Sequence, residues 1–463
     1  MTRKAKMVLD LLRAYESRNI TFIESDGSWP IVWERAKGAH VWDARGRKYL
    51  DLTAAFGVAA AGHANPRVVK AGRAQMGKLL HAMGDAHPHA LKARLARELS
   101  RITFERWSQD PARRTAGRAK NEATPGTPSA APGATSGKTI FCNSGFEAVE
   151  AALKTALLAT GKPGVIAFTG AYHGLGYGAL NATHREHFRS PFKTQLREFG
   201  FFVPFPRAQD ANPGFDAIES QIEQLFRRNQ IGAFLVEPVQ VRGGVNIPPP
   251  EFLPMLRRLC DRHRALLILD EIYTGFGRTG KWFACEHTGA IPDLVCLGKA
   301  LTGGFPLSAC VGRADLMDAA WPASSGEAIH TSTFLGHPVG CAMALAQIQE
   351  IQQRRLATRA ARLGKVLLSR LSAIKSPSSE MHFAARGLGL LAGLELAHPD
   401  GRPATGPALS ALKAMLERGF ILLPEGEHAN VLSFTPPLII SEQQLDAALT
   451  ALTDVLANPS DLM

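Results

Sequence analysis

The sequence predicts an α/β fold whose ligand site lies at the carboxyl ends of buried strands, and two stretches carry the prediction. Leu266-Leu267-Ile268-Leu269 is a short apolar run that stops at Asp270-Glu271, and Leu294-Val295-Cys296-Leu297 stops at Gly298-Lys299. Apolar runs this short, between polar flanks, read as strands covered on both faces, because a helix needs a longer periodic pattern. Each delivers a charged residue at its C-terminal end, where open α/β sheets bind their ligands.

The other elements follow in chain order. Residues from about 7 to 20 read as a short amphipathic helix rather than a signal peptide, since Asp10 and Arg13 interrupt the apolar residues. Alternation on either side of Ala44-Arg45-Gly46 predicts a β-hairpin. Residues 107–137 are rich in Ala, Gly, Pro, Ser and Thr with little to bury, which predicts a disordered surface insertion. Thr139–Cys142 reads as a strand, and a helix is expected from about Glu147 to Ala159. The small-residue turn between them, Asn143-Ser144-Gly145, feeds a helix N-terminus, where free N–H groups and the helix dipole favour an anion. Val165–Phe168 is a further buried strand, and a strand over Ala233–Gln240 is expected to deliver Glu237 and Gln240. From about residue 340 a long helix leads into the C-terminal part.

Composition limits the class of protein. The 463 residues suffice for a large domain and a smaller one, and 45% apolar with 20% charged residues is ordinary for a soluble globular chain. The net charge of +12 is spread among interleaved acids and bases without a dense basic block, which argues against nucleic acid as partner. Six cysteines are widely spaced with no Cys-x-x-Cys, as free thiols of a reducing compartment would be, and no run is long enough to span a membrane. A cytoplasmic protein without a metal site is expected.

The chemistry centres on Asp270 and Lys299, 29 residues apart. Lys299 lies among Gly298, Ala300, Leu301, Gly303 and Gly304, a setting that desolvates an amine and lowers its pKa, as a Schiff-base lysine requires. A carboxylate and such a lysine at neighbouring strand ends suit pyridoxal phosphate, the one on the pyridine nitrogen and the other on the aldehyde. The run Leu269-Asp270-Glu271-Ile272-Tyr273-Thr274-Gly275-Phe276-Gly277-Arg278-Thr279-Gly280-Lys281, with Gly298-Lys299 downstream, resembles the class III (ω-type) aminotransferases. So do Ala36–Asp51, Gly62-His63, Arg386-Gly387-Leu388-Gly389 and Pro436-Pro437-Leu438, and the likeness covers nearly the whole chain.

The resemblance implies fold type I: a large domain on a mostly parallel seven-stranded sheet, plus a smaller α/β domain drawn from both termini. Residues 1–65 and 341–463 would form the small domain and 66–340 the large one. It also implies pyridoxal 5'-phosphate and a homodimer with shared active sites. Lys299 and Asp270 would be catalytic. Ser144, Gly145 and Phe146 would cradle the phosphate, with Phe146 standing where the family usually has a small residue. Tyr172 and Ile272 would cover the two ring faces, Gln240 would meet the phenolic oxygen, and Thr333 would bind phosphate in the neighbouring subunit. His173 and Glu237 are expected to be structural.

Substrate reading is where the chain departs from the family. Many members pair a glutamate after the Glu-Pro-x-Gln motif with an arginine before Pro-Pro-Leu, and those positions here hold Arg242 and Ser433. The 4-aminobutyrate enzymes have an arginine after Tyr-His-Gly, and this chain has Leu175. Arg242 is therefore a candidate for a substrate carboxylate, against the alternative of a solvated loop arginine. Phe56 and Leu175 would line an apolar donor side, with a core aromatic as the alternative for Phe56. The implied reaction moves an amino group from an amine or ω-amino acid to a keto acid. An aminomutase, a decarboxylase and a non-catalytic cofactor-binding protein of the same fold share these residues. Gly275-x-Gly277-x-x-Gly280 has a dinucleotide-binding spacing, but no helix is evident after it.

Overall fold

A computed structural model of the chain describes residues 2–25, 28–109, 136–210, 214–376 and 381–458. Strands β1 (Trp33–Lys37), β2 (His40–Asp43) and β3 (Lys48–Asp51) form an antiparallel meander near the N-terminus. The expected hairpin at residues 44–46 joins β2 to β3, and Asp43 fixes its turn by accepting from the N–H groups of Arg45 and Arg47, each at 2.9 Å. The helix predicted near the N-terminus runs Arg3–Tyr15, earlier than expected because Thr2 caps it.

The large sheet has seven strands: β4 (Gly137–Cys142), β5 (Gly164–Phe168), β6 (Gly200–Val203), β7 (Ile231–Val236), β8 (Leu266–Asp270), β9 (Leu294–Leu297) and β10 (Ser308–Arg313). Their order across the sheet is β4-β10-β9-β8-β7-β5-β6, with β10 antiparallel to both neighbours and the remaining pairs parallel. The apolar runs read from the sequence are buried throughout as β5, β7 and β9, as a sheet covered on both faces requires. Parallel register places Asp270 opposite Cys296, so the ends of β8 and β9 lie side by side.

A further antiparallel sheet comprises β11 (His382–Gly387), β12 (Ala392–Ala397), β14 (Leu423–Glu425) and β15 (Val431–Phe434), while the short strand β13 (Phe420–Ile421) leaves this region to pair in parallel with β3. Helices Leu356–Ala373, Thr405–Glu417 and Glu442–Ala457 pack with it. One apolar core, holding Phe168, Phe234, Leu267 and Val295 of the large sheet, continues to Leu363, Leu367 and Leu449 of these helices.

One expectation changes. The segment expected to be an insertion starts inside the core: Trp107 is buried between Phe104 and Phe283, at ring distances of 5.2 and 5.6 Å, and its indole N–H donates to Glu286 at 3.1 Å. Composition averaged over residues 107–137 concealed this single aromatic anchor, and residues 110–135 lie outside the described part. The glycine run after Asp270 opens no helix. Gly277 and Gly280, at φ +92° and +95°, let the loop lie against Ala357 and Ala361, and buried Arg278 donates to the carbonyls of Leu390 and Pro436 at 2.9 and 2.5 Å. Those glycines serve close packing between the large sheet and the C-terminal part, so the dinucleotide spacing has a structural explanation.

Candidate active site

The strand ends open into a cavity of about 420 Å³ whose lining includes Tyr172, Glu237, Arg242, Asp270, Tyr273 and Lys299. Lys299 follows β9 directly and adopts φ +35°, unusual for a residue with a side chain and typical of strain held at a functional site. Burial pushes its amine below the ordinary lysine value, and Arg242 adds to this, while Asp270, Glu237 and Glu425 oppose it. Its Nζ sits 4.5 Å from the centre of the Tyr273 ring, a cation–π contact. Asp270 is buried. Its Oδ2 lies 2.8 Å from His173 Nδ1, and its Oδ1 accepts the Ile272 N–H at 3.1 Å.

After β4 comes the helix Gly145–Thr160, which ends on the left-handed Gly161. Ser144 precedes it: its N–H and that of Asn143 donate to Glu147, its carbonyl accepts from Ser308 at 2.5 Å, and its buried hydroxyl has no partner at hydrogen-bonding geometry. Gly145 packs on Ile272, where a Cβ would lie 3.1 Å from a side-chain methyl. The Phe146 side chain takes space left by two glycines, since a Cβ on Gly174 would come within 2.4 Å of its Cβ and one on Gly176 within 2.5 Å of its ring.

The family described as aminotransferase class-III matches residues 22–456. The chain belongs to the class III aminotransferases. It is similar to an acetylornithine aminotransferase of Methanosarcina mazei, 34% identical over 93% of each chain. A 5-aminovalerate aminotransferase of Pseudomonas aeruginosa is 34% identical over 92% of this chain and 93% of that one. Among solved structures, the omega transaminase from Pseudomonas jessenii in complex with PMP aligns with a TM-score of 0.81 and 26% identity over 96% of each chain.

Class III aminotransferases use pyridoxal 5'-phosphate, and this aminotransferase has residues that fit it: a desolvated amine, a buried carboxylate, and a helix N-terminus with an unpartnered hydroxyl. Of the residues expected to touch the cofactor, Gly145, Phe146, Tyr172, Asp270, Ile272 and Lys299 line one cavity. Gln240 does not join them. β7 ends at Val236, not at residue 240, and the Gln240 amide donates to the Thr169 carbonyl at 2.8 Å and accepts from Asn246 at 3.2 Å. These bonds tie the turn after β7 to Thr169 at the end of β5 and leave a second amide N–H and a second carbonyl lone pair on Gln240. Thr333 is exposed and lies outside the cavity lining.

On the substrate side, Leu175 and Arg242 line the cavity and Phe56 does not. Phe56 is half exposed on a run of three non-glycine residues at positive φ, Ala54 to Phe56, and this turn borders the site through Gly57, packed on Tyr273, and through its contact with residues 299–301. Sequence reasoning missed two groups here, Tyr273 and Glu425, and expected of Glu237 only a structural role. Tyr273 supplies a buried aromatic wall whose hydroxyl lies 3.3 Å from Thr435 Oγ1. Glu237 lines the cavity, accepts the Tyr172 N–H at 3.0 Å, and is pushed up to about 7 chiefly by burial. Glu425, on β14, pairs with Arg242 at 3.0 Å. The position of Tyr273, three after Asp270, was a readable signal. Glu425 in Leu-Pro-Glu-Gly gave none, because that string reads as a surface turn.

Proposed function

We propose that this aminotransferase takes its amino group from a primary amine or ω-amino acid and passes it to a keto acid, with Lys299 and Asp270 as the catalytic pair. The observation that carries the reading is the desolvated Lys299 amine in one cavity with the His173-anchored Asp270 carboxylate. When bound, pyridoxal phosphate supplies an aldehyde that bonds an amine and a ring that accepts electrons. Asp270 would hold positive charge at the ring nitrogen. Lys299, with its free amine favoured by burial, would bond the aldehyde at rest and carry the proton between carbons. Tyr172 and Ile272 would bracket the ring, and Ser144, Gly145 and Phe146 would hold the phosphate. The tyrosine, leucine and phenylalanine on the remaining wall suit an apolar or ω-amino donor, in keeping with a relative named for 5-aminovalerate.

Arg242 is the candidate for the acceptor's carboxylate. Its side chain is one-third exposed on the cavity wall, 5.7 Å from the centre of the Tyr172 ring. A homodimer is also part of this reading. Leu80, Met83 and Phe334 are exposed apolar side chains, and a His81–Phe334 contact at 5.4 Å joins their two segments beside Thr333. A second copy covering that face would give Thr333 a role in the neighbouring site. The six cysteines are buried free thiols, which favours a cytoplasmic setting, and among the described residues no helix is long and apolar enough to cross a membrane.

The test is a spectrophotometric half-reaction. Cofactor-loaded protein is mixed with 4-aminobutyrate, ornithine, putrescine, β-alanine or a hydrophobic primary amine, with no keto acid present. Loss of the yellow colour with at least one of them is expected and names the donor class. Colour that persists with every one of them, while an α-amino acid removes it, would overturn the donor assignment.

A further inference from the structure

Arg242 and Glu425 come together across 183 residues, from the loop after β7 and from β14. Glu425 is buried, with 1% of its side chain exposed. One carboxylate oxygen takes the Arg242 Nη1 donor and the other has no partner. Burial without full pairing raises this carboxyl to about 7, against the opposing pull of Arg242, Arg185 and Lys299. The Arg242 backbone is also pinned, because its carbonyl accepts from the Gly426 N–H at 3.2 Å and from the Arg185 guanidinium. Next to it, Arg386 holds the Gly244 and Val245 carbonyls at 3.0 Å. The guanidinium therefore projects from a fixed base with one donor committed to Glu425 and its remaining donors available to the cavity.

The charges around this point are unevenly spread. Among the described residues lining the cavity, the arginine and lysine side chains are Arg242 and Lys299, and only Arg242 is a permanent cation, since Lys299 is required by the cofactor chemistry. Against them stand Asp270 and Glu237 on the wall and Glu425 behind Arg242. A ligand carboxylate can share the Arg242 guanidinium with Glu425, but a second carboxylate on the same ligand finds no further arginine or lysine on the described cavity lining, Arg185 behind it being turned onto the Arg242 carbonyl, and has three protein carboxyls nearby. We infer that Glu425 is a specificity-determining positioning residue, which holds Arg242 for one acceptor carboxylate and disfavours dicarboxylic acceptors. The site would thus take a 2-oxo monocarboxylic acid. This rests on the Arg242 assignment made above.

The experiment uses the holoenzyme and two unreactive probes of equal length, pentanoate and glutarate, measured by calorimetry and as inhibitors. Wild type is expected to bind pentanoate at least about tenfold more tightly than glutarate, the scale of one unpaired charge at a partly buried site. Glu425→Gln keeps the shape and an acceptor for Arg242 but removes the charge. It should tighten glutarate more than pentanoate and shrink the preference about tenfold, because repulsion of two ligand carboxylates is relieved rather than one. Equal binding of the two probes to wild type, or an unchanged preference in Glu425→Gln, would overturn the inference. Arg242→Ala separates the two levels. If it leaves both affinities unchanged, the Arg242 assignment itself fails. If it weakens both while Glu425→Gln changes nothing, only the role of Glu425 fails. Retained yellow colour and thermal midpoint in Glu425→Gln show that the variant is folded.

Discussion

The two ends of the cavity are built in different ways. At the catalytic end, Asp270 and Lys299 are set by neighbouring parallel strands, and the register of β8 with β9 alone brings their ends together. At the substrate end, Arg242 and Glu425 come from a turn and from a strand of another sheet, joined by a side-chain ion pair and backbone clasps. The first arrangement is as rigid as the sheet. The second depends on how the C-terminal part packs on the large sheet, so the substrate end can be altered in single residues without disturbing the sheet.

Substitutions can break that comparison, and the largest effect is expected at the catalytic end. Lys299→Ala should remove the yellow colour and reduce single-turnover amino transfer on the order of 10⁴-fold, with no compensating gain at high substrate. Asp270→Asn keeps the hydrogen-bonding shape beside His173 and should retain cofactor while slowing the half-reaction about 10²- to 10³-fold, as read by stopped-flow absorbance. If either variant changed only KM, the catalytic assignment would be wrong.

Arg242→Ala should act at the other end. It should raise the keto acid's KM about 10- to 100-fold with kcat little changed, as the loss of a charge-assisted hydrogen bond worth roughly 1.5–3 kcal/mol implies. An unchanged KM for every keto acid would make Arg242 a mere structural partner of Glu425.

The smallest effect links the two ends. Burial lowers the Lys299 pKa, so uncharged amine becomes available as pH rises through a midpoint below the ordinary lysine value. Capture of pyridoxal phosphate by the apoprotein should follow that midpoint. Glu425 favours the charged ammonium, so Glu425→Gln should move the midpoint lower still. A shift to higher pH would contradict the electrostatic coupling between the two ends.

The catalytic end was legible because a buried strand announces itself by composition. Four apolar residues between polar flanks read as a covered strand, and the first charged residue after them then emerges at the sheet's edge. The same logic located Gly145 and Phe146, where a strand turns into a helix. It overran at the end of β7, where the strand was read four residues too long, past the proline at 238 and into the turn that holds Gln240. It failed at Trp107 because one buried aromatic was averaged into a polar stretch.

By itself, then, the sequence determined five strands of the sheet, its ligand edge and the lysine–carboxylate pair, since these follow from local hydrophobic runs and the ends they impose, while β6 and β10 were not read from it. Only the tertiary structure decided the substrate wall. Arg242 found its counter-charge 183 residues away, and whether a glutamate between proline and glycine is a surface turn or a buried partner depends on which sheet packs over it.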